Sequence, residues 1–182
     1  MDSAYMDYFA RGIAAMGCRC ARFEFPYMAR RRTEGKRGGP DSQPKLLDAW
    51  RAAASELGDA TSLVVGGKSM GGRMASMVAD ELGVAGLVCL GYPFHAPGRP
   101  EAPRIAHLQT LGTPALILQG TRDPFGGKDE VGAYGLSPAI RVHWLADGDH
   151  DLKPRKESGR TQRGNWEEGL EAIEGFLAGI RA

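Results

Sequence analysis

The sequence predicts an α/β fold, with a parallel sheet between two layers of helices. Helical and extended segments alternate along the 182 residues, which is typical of parallel sheets whose strands are joined by helices. The segments Ala85–Leu90 and Pro114–Gln119 are apolar on both faces, as expected of strands that helices cover on each side. Domains commonly have about 100–200 residues, so we expect residues 1–182 to form a single domain.

The elements are predicted in order from the spacing of the apolar residues. Extended segments predict five strands, at Cys18–Tyr27, Ser62–Val65, Ala85–Leu90, Pro114–Gln119 and Ile140–Leu145. Helical spacing predicts six helices, at Met6–Met16 with Ser3 as its cap, Leu46–Leu57, Met70–Leu82, Ile105–Leu111, Lys128–Tyr134 and Asn165–Ile180. The arginine-rich segment Met28–Pro44 is predicted as a loop. In such sheets ligands bind beyond the carboxyl ends of the strands, so the residues that follow each strand are the most informative.

The charge balance argues against whole classes of partner. Lys and Arg together number 23 and Asp and Glu 22, so the formal net charge is +1 and no overall field attracts a nucleic acid or an anionic membrane. Aromatic residues make up 8%, which does not suggest a base-stacking surface. The longest apolar stretch, Val84–Tyr92, is far shorter than the ~20 residues of a membrane span. We therefore expect no nucleic-acid partner and no membrane partner.

The first residues and the cysteines predict a cytoplasmic location. The segment Met1–Ser3 lacks the basic and apolar regions of a signal peptide. The cysteines, Cys18, Cys20 and Cys89, are odd in number, and the first two lie too far apart along a strand for an easy disulfide. No second cysteine pair completes a zinc site. We interpret all three as reduced, buried thiols.

A nucleophile motif follows the second predicted strand. Residues 67–71 are Gly-Lys-Ser-Met-Gly, a G-x-S-x-G pattern between a predicted strand and a predicted helix. A side chain on so tight a turn needs very small neighbours two positions away, and Gly67 and Gly71 meet that need. Ser69 is therefore the candidate nucleophile, at a helix N-terminus where the dipole favours developing negative charge. The backbone N–H of Met70 is the candidate oxyanion donor. The alternative is a tight strand-to-helix link without a catalytic role.

A base and an orienting carboxylate are found at two further strand ends, in the chain order Ser, acid, His that this motif requires. Asp123 follows the fourth predicted strand, and His150 follows the last one. Aspartates and histidines are common in surface loops, so each of them alone indicates little. Their joint placement predicts that Ser69, His150 and Asp123 form a catalytic triad.

Other polar residues near strand ends fit the site less well. The candidate pocket-lining residues are Tyr92, Pro93, Phe94, His95 and Phe125, which follow the third and fourth predicted strands. His143 is expected to pack within a strand, and His107 to face solvent or cap a helix. Three aspartates surround His150, but the spacing of a calcium loop is missing, so no metal site is predicted.

Two basic motifs have competing interpretations. The run Arg30–Arg32 is either a solvated loop edge or an entrance that attracts an anionic substrate. The run Gly67-Lys68-Ser69 also looks like the end of a phosphate-binding P-loop, but that loop needs a glycine where this chain has Ser62. Nucleotide binding is therefore not predicted.

Several runs together carry a resemblance to a known family. GGKSMGGRMAS, LGYPFHAPGRPE, LQGTRDPFG and DGDHDLKP, with RFEFPYMARRR nearer the start, resemble small α/β-hydrolase-fold proteins related to testis-expressed protein 30 and the third subunit of the NSL chromatin complex, and more distantly dienelactone hydrolases. The likeness covers nearly the whole chain. It implies an α/β-hydrolase-like fold without a large lid domain, Ser69 as nucleophile, Asp123 as acid and His150 as base. It implies no cofactor.

The chain departs from this family at its start. Family members usually begin with a further strand and an HGAG-like loop, which would supply a second oxyanion donor. That strand would lie between the strands predicted at Cys18–Tyr27 and Ser62–Val65. The resemblance thus leads us to expect that the functional protein begins upstream of Met1.

The function that these patterns favour is hydrolysis of an ester or a similar acyl bond in a small-molecule substrate. The alternative is a non-catalytic protein that uses the same fold as an interaction module, because a fold does not determine a function. A pure scaffold has no need of all three triad residue types at strand ends, and this favours the enzyme.

Overall fold

The structure, a computed structural model, describes residues 3–35 and 38–181. Its strands are β1 (Val64–Lys68), β2 (Gly86–Leu90), β3 (Ala115–Gly120) and β4 (Ile140–Leu145). Its helices are α1 (Ala4–Ala15), α2 (Pro26–Glu34), α3 (Gln43–Leu57), α4 (Met70–Leu82), α5 (Lys128–Val131) and α6 (Gln162–Arg181), with short 3-10 turns at Ala60–Ser62, Ala106–Gln109 and Lys156–Ser158. Met1 and Asp2 of the initial segment, and Lys36 and Arg37 of the predicted loop, lie outside the described residues.

The four strands form one parallel sheet in the order β1-β2-β3-β4. Lys68, the last residue of β1, is paired with Leu90, the last residue of β2. The last residue of β3, Gly120, is paired with Leu145, the last residue of β4. All four carboxyl ends therefore meet at one edge of the sheet, which is where ligands bind in parallel α/β folds.

Alternate residues of the central strands face two different helix layers. Leu87 and Cys89 of β2 pack in a core with side chains of α3 and α4, whereas Val88 and Leu90 pack with side chains of α1 and α6. Successive side chains of a strand point to opposite faces of the sheet, and every residue of β2 and β3 is buried. Helices must therefore cover both faces, and each face forms its own core. The predicted three-layer α/β architecture is thereby confirmed.

The helix starts follow local rules. Ser3 caps α1, since its Oγ accepts a hydrogen bond from the backbone N–H of Met6 at 3.2 Å.

In the described part of the chain, no helix is both long enough and apolar enough to cross a lipid bilayer.

The strand predicted at Cys18–Tyr27 is wrong, and the loop predicted at Met28–Pro44 is right only in part, because residues 28–34 lie on α2 and residues 43–44 on α3, while residues 38–42 form no helix or strand. Residues 18–25 form no strand, and Pro26 begins α2 at a position where a missing backbone N–H costs nothing. The extended sequence pattern is real, but a strand also needs a neighbour for its backbone hydrogen bonds, and the structure describes no strand beside this segment. The Phe23 ring instead packs edge-on against Trp50 of α3, with ring centres 4.7 Å apart.

The basic run Arg30–Arg32 lies on α2, where other groups hold its guanidinium ions. Arg30 is paired with Asp41 at 2.6 Å, and Arg31 donates to the carbonyl oxygen of Gly38 at 2.7 Å. Arg32 is paired with Glu24 at 2.9 Å. These contacts fit a solvated surface on which carboxylates pair with Arg30 and Arg32.

Candidate functional site

Ser69 lies on a sharp turn between the end of β1 and the start of α4. Its φ and ψ angles are +51° and −118°, a conformation that residues with a Cβ rarely adopt. The turn is held on both sides, because the Ser69 N–H donates to the carbonyl oxygen of Leu90 and its carbonyl oxygen accepts from the N–H of Arg73, each at 3.0 Å. Strain that the surroundings hold in place so firmly is common at functional turns.

Two glycines make this turn possible, and only one of them, Gly67, is among the two that the motif suggests. A Cβ added at Gly67 would lie 3.0 Å from the carbonyl carbon of Gly71, and one at Gly72 would lie 2.5 Å from the carbonyl oxygen of Gly67. A Cβ added at Gly71 meets nothing within 4 Å. The expectation that Gly71 must be small to clear the turn is therefore wrong, and Gly72 has that role instead.

The three residues predicted as a triad lie together in one hydrogen-bonded chain. Nε2 of His150 is 2.9 Å from Oγ of Ser69, and its Nδ1 is 2.8 Å from Oδ2 of Asp123. An ionised carboxylate can only accept, so Nδ1 carries the proton and Nε2 accepts the hydrogen bond from the serine hydroxyl. The Asp123 side chain has no exposed surface, while that of His150 is 18% exposed. The chain of bonds thus runs from a buried charge to a hydroxyl at the surface of the site.

Asp123 is held by three donors in addition to its position after β3. Its Oδ1 accepts from the backbone N–H of Phe125 at 2.9 Å. Its Oδ2 accepts from His150 and from the side-chain amide of Gln119 at 2.9 Å. Gln119 is fully buried, and its amide oxygen also accepts from the backbone N–H of Tyr92 at 2.8 Å. A glutamine at the end of an otherwise apolar strand was the sequence signal for this support, and our sequence reasoning did not use it.

The aspartates around His150 shape its loop. Oδ1 of Asp149 accepts from the backbone N–H groups of Asp151 at 2.8 Å and Lys153 at 3.0 Å. Asp147 is paired with Arg155 at 2.6 Å, and the hydrogen bonds from this guanidinium lower the pKa of Asp147 from 3.8 to about 2. Within residues 3–35 and 38–181, no group of three or more His, Cys, Asp or Glu side chains is arranged to hold a metal ion.

The N–H of Met70 lies in the first turn of α4. This helix has 13 residues and begins directly after Ser69, so the positive end of its dipole lies beside that residue. The first N–H groups of a helix have no acceptor within the helix, so they are free to bind a negative oxygen at this end. This geometry fits the predicted oxyanion donor.

The predicted pocket-lining residues fall into two groups. Tyr92 and Phe94 have no exposed surface and pack in the core, which corrects the prediction that they line a pocket, and Pro93 is buried as well. His95 is also buried and is paired with Glu130 at 3.0 Å. Only Phe125 of the five lies at the site, with its ring centre 4.2 Å from that of His150. The residues after β2 turn inward, which the sequence could not indicate because aromatic side chains suit a core and a pocket equally.

A second serine–histidine contact lies away from the triad. Nε2 of His107 is 2.9 Å from Oγ of Ser76, whose hydroxyl is also 2.8 Å from the carbonyl oxygen of Arg73. Ser76 is 2% exposed, and burial, with a smaller effect of Arg73, lowers the pKa of His107. The expectation that His107 faces solvent or caps a helix is therefore wrong. We find no carboxylate bonded to its ring among the described residues, so this pair lacks the third member of a triad.

His143 lies on β4, as predicted, and its Nε2 is 3.2 Å from Oε1 of Glu168 on α6. It therefore joins the sheet to a helix and takes no part in the site.

The chain matches a known protein family over most of its length. A family described as "Alpha/beta hydrolase domain" matches residues 1–178, which is nearly the whole chain. The match includes all three residues of the hydrogen-bonded chain at the sheet edge.

Solved structures show the same fold at low sequence identity. A serine hydrolase homologue from Coxiella burnetii is 20% identical with a TM-score of 0.69, and the match covers 97% of this chain and 77% of the other. A serine hydrolase without a lid from Xanthomonas campestris is 20% identical with a TM-score of 0.65, covering 100% and 74%. The esterase domain of a Rhodothermus marinus protein is 17% identical with a TM-score of 0.63, covering 94% and 78%. At these identities the likeness establishes the fold alone.

Proposed function

The chain belongs to the alpha/beta hydrolase domain family, and on that premise we propose that it is a serine hydrolase that cleaves an ester or a similar acyl bond. The observation that carries the proposal is the hydrogen-bonded chain from Asp123 through His150 to Ser69, with bonds of 2.8 and 2.9 Å. Ser69, Asp123 and His150 each follow a different strand of the sheet, so the sheet holds the three side chains in a fixed arrangement.

The proposed reaction proceeds through an acyl-enzyme. Oγ of Ser69 attacks the substrate carbonyl carbon while Nε2 of His150 takes the hydroxyl proton, and His150 then gives that proton to the leaving alcohol. Nε2 of His150 then deprotonates a water that attacks the acyl carbon, and as the acyl–Oγ bond breaks the same nitrogen returns the proton to Oγ of Ser69 and the acid is released. Asp123 keeps the imidazole in the tautomer that accepts at Nε2 and stabilises the imidazolium that forms in each half of the reaction.

The developing oxyanion is proposed to bind at the N–H of Met70. The start of α4 adds the positive end of its dipole at the same point. One such donor is typically worth about 3 kcal/mol of transition-state stabilisation, or about 10²–10³ in rate, so this single N–H contributes substantially.

The substrate is proposed to be a small molecule with an apolar group next to the scissile bond. The Phe125 ring lies against His150, with 4.2 Å between ring centres and a tilt of 34°, and offers an apolar wall next to the base.

Within the family, we propose that the chain belongs to the narrower group related to testis-expressed protein 30 and the third NSL subunit. The runs GGKSMGGRMAS and DGDHDLKP support this membership.

Hydrolysis of p-nitrophenyl acetate tests the proposal. We expect the wild type to turn over this ester and Ser69→Ala to lose at least about 10³-fold in kcat, since removing a triad serine removes the nucleophile. Ser76→Ala is the matched control, because it deletes a serine that is also bonded to a histidine, and it should retain wild-type turnover. A folded wild type that hydrolyses neither this ester nor longer-chain p-nitrophenyl esters would instead support the alternative of an interaction module.

A further inference from the structure

The residue before Ser69 and the residue after His150 form an ion pair. Nζ of Lys68 lies 2.7 Å from Oδ1 of Asp151, and we call these two residues the flanking pair. The segments that they belong to are far apart in the chain, since Ser69 and His150 are separated by 81 residues. The flanking pair therefore joins the turn after β1 to the loop after β4 at the place where the hydroxyl meets the imidazole.

Two further groups fix the direction of the Lys68 side chain. Its ammonium donates to the backbone carbonyl oxygen of His150 at 3.5 Å. It also lies 5.2 Å from the centre of the Tyr5 ring, a distance at which a cation is attracted to an aromatic face. The Lys68 side chain is only 23% exposed and Tyr5 is 6% exposed. The ammonium is thus held by α1 on one side and by the His150 loop on the other.

The His150 loop is supported from other directions as well. On the α6 side, Nε1 of Trp166 donates to the carbonyl oxygen of Asp151 at 3.2 Å. On the β2 side, the loop lies so close that a Cβ added at Gly91 would be 2.9 Å from the carbonyl oxygen of His150. Lys68 approaches these same two loop residues from the side of the nucleophile turn. Its contacts therefore bear directly on the separation of Ser69 and His150.

We propose that Lys68 is a positioning residue for the reaction proposed above, on which this inference rests: through Asp151 and the His150 carbonyl it sets the distance between Oγ of Ser69 and Nε2 of His150. Proton transfer requires about 2.6–3.2 Å between these atoms, and the structure has 2.9 Å. A displacement of about 1 Å at such a point costs about 10² in rate.

If the flanking pair had a purely structural role, its loss would leave the reactivity of Ser69 unchanged. Asp151 is 61% exposed, and ion pairs that involve an exposed partner add little to stability. Loss of the flanking pair should therefore leave the fold intact, and a melting temperature cannot distinguish the two roles. The rate at which Ser69 is acylated does distinguish them, because only a positioning residue changes it.

The test compares the second-order rate of labelling by a fluorophosphonate, together with kcat and KM for p-nitrophenyl acetate. In Lys68→Met we expect labelling and kcat to fall about 10- to 100-fold with KM changed less than about threefold, since the binding surface is unaltered. Asp151→Asn, at an exposed position, should show the same direction of change. Lys68→Arg restores a cation that reaches Asp151 and should recover labelling to within about threefold of the wild type.

A matched control removes an ion pair far from the site. Arg51→Met breaks the exposed pair with Glu81, which lies at the opposite end of α4 from Ser69 and has an N–O distance of 2.7 Å, and this variant should label at the wild-type rate. Lys68→Met and Asp151→Asn variants that fold and label at the wild-type rate overturn the positioning role while the proposed function stands. A folded wild type that is neither labelled nor active overturns both.

Discussion

The carboxylate of Asp123 lies 2.8 Å from Nδ1 of His150 and is completely shielded from solvent. Its other bonds come from Gln119 and from the backbone N–H of Phe125. A buried charge held by three donors has a fixed direction, and it determines which nitrogen of His150 carries the proton.

Replacing Asp123 with Asn should abolish most of the activity while keeping the fold. An amide of the same shape can present its NH₂ group to Nδ1 and thereby favour the tautomer that cannot accept from Ser69. We expect kcat for p-nitrophenyl acetate to fall by about 10⁴ with an unchanged circular-dichroism spectrum. A kcat within tenfold of the wild type would show that Asp123 does not orient the base.

The glycines of the Ser69 turn provide a matched pair of substitutions. Gly72→Ala places a methyl group 2.5 Å from the carbonyl oxygen of Gly67 and 3.1 Å from Sγ of Cys89, and backbone must move to accommodate it. We expect the free energy of unfolding in urea to decrease by about 1–3 kcal/mol.

Gly71→Ala is the control for that substitution, because an added Cβ there meets nothing within 4 Å. We expect its free energy of unfolding to be unchanged or to rise by up to about 1 kcal/mol, since alanine loses less backbone entropy in a helix. Equal destabilisation by the two substitutions would contradict the packing described for this turn.

Asp147 should make the stability of the fold sensitive to acid. Its pKa in the folded chain is lowered from 3.8 to about 2, mainly by hydrogen bonds from Arg155, so the ionised form is favoured in the folded state. Its contribution to stability is therefore fully present well above pH 4 and is lost as the pH falls from about 4 to about 2.

Urea unfolding of the wild type and Asp147→Asn over a pH series measures this contribution. We expect the wild type to be the more stable at pH 7 and the difference between the two proteins to shrink as the pH falls through that range. A difference that stays constant down to pH 2 would show that Asp147 is not stabilised as a carboxylate by Arg155.

The position of Asp123 could be predicted because it follows a strongly patterned strand, whereas Ser69 was placed by its glycine motif and His150 by its order in the chain. β2 and β3 are continuously apolar, and parallel strands buried on both faces are recognisable from that pattern alone. Once the strands are placed, Ser69, Asp123 and His150 follow at one edge of the sheet, and their hydrogen-bonded arrangement could be anticipated from their order in the chain.

Features that depend on a distant neighbour could not be predicted in the same way. Residues 18–25 have an extended pattern, but whether they form a strand depends on a partner for their backbone. The ion pair of Lys68 with Asp151 arises from the course of the loop at His150, 82 residues later, and nothing local to Lys68 indicates it. Tyr92 and Phe94 point into the core because the chain turns inward after β2, a turn that aromatic composition does not reveal.

The most direct test of the proposed function is the position at which a fluorophosphonate reacts with the folded chain. Peptide mass spectrometry after labelling should find one adduct, on Ser69, and no adduct in Ser69→Ala. An adduct on Ser76 instead, or a folded wild type without any adduct, would contradict the assignment of Ser69 as the nucleophile.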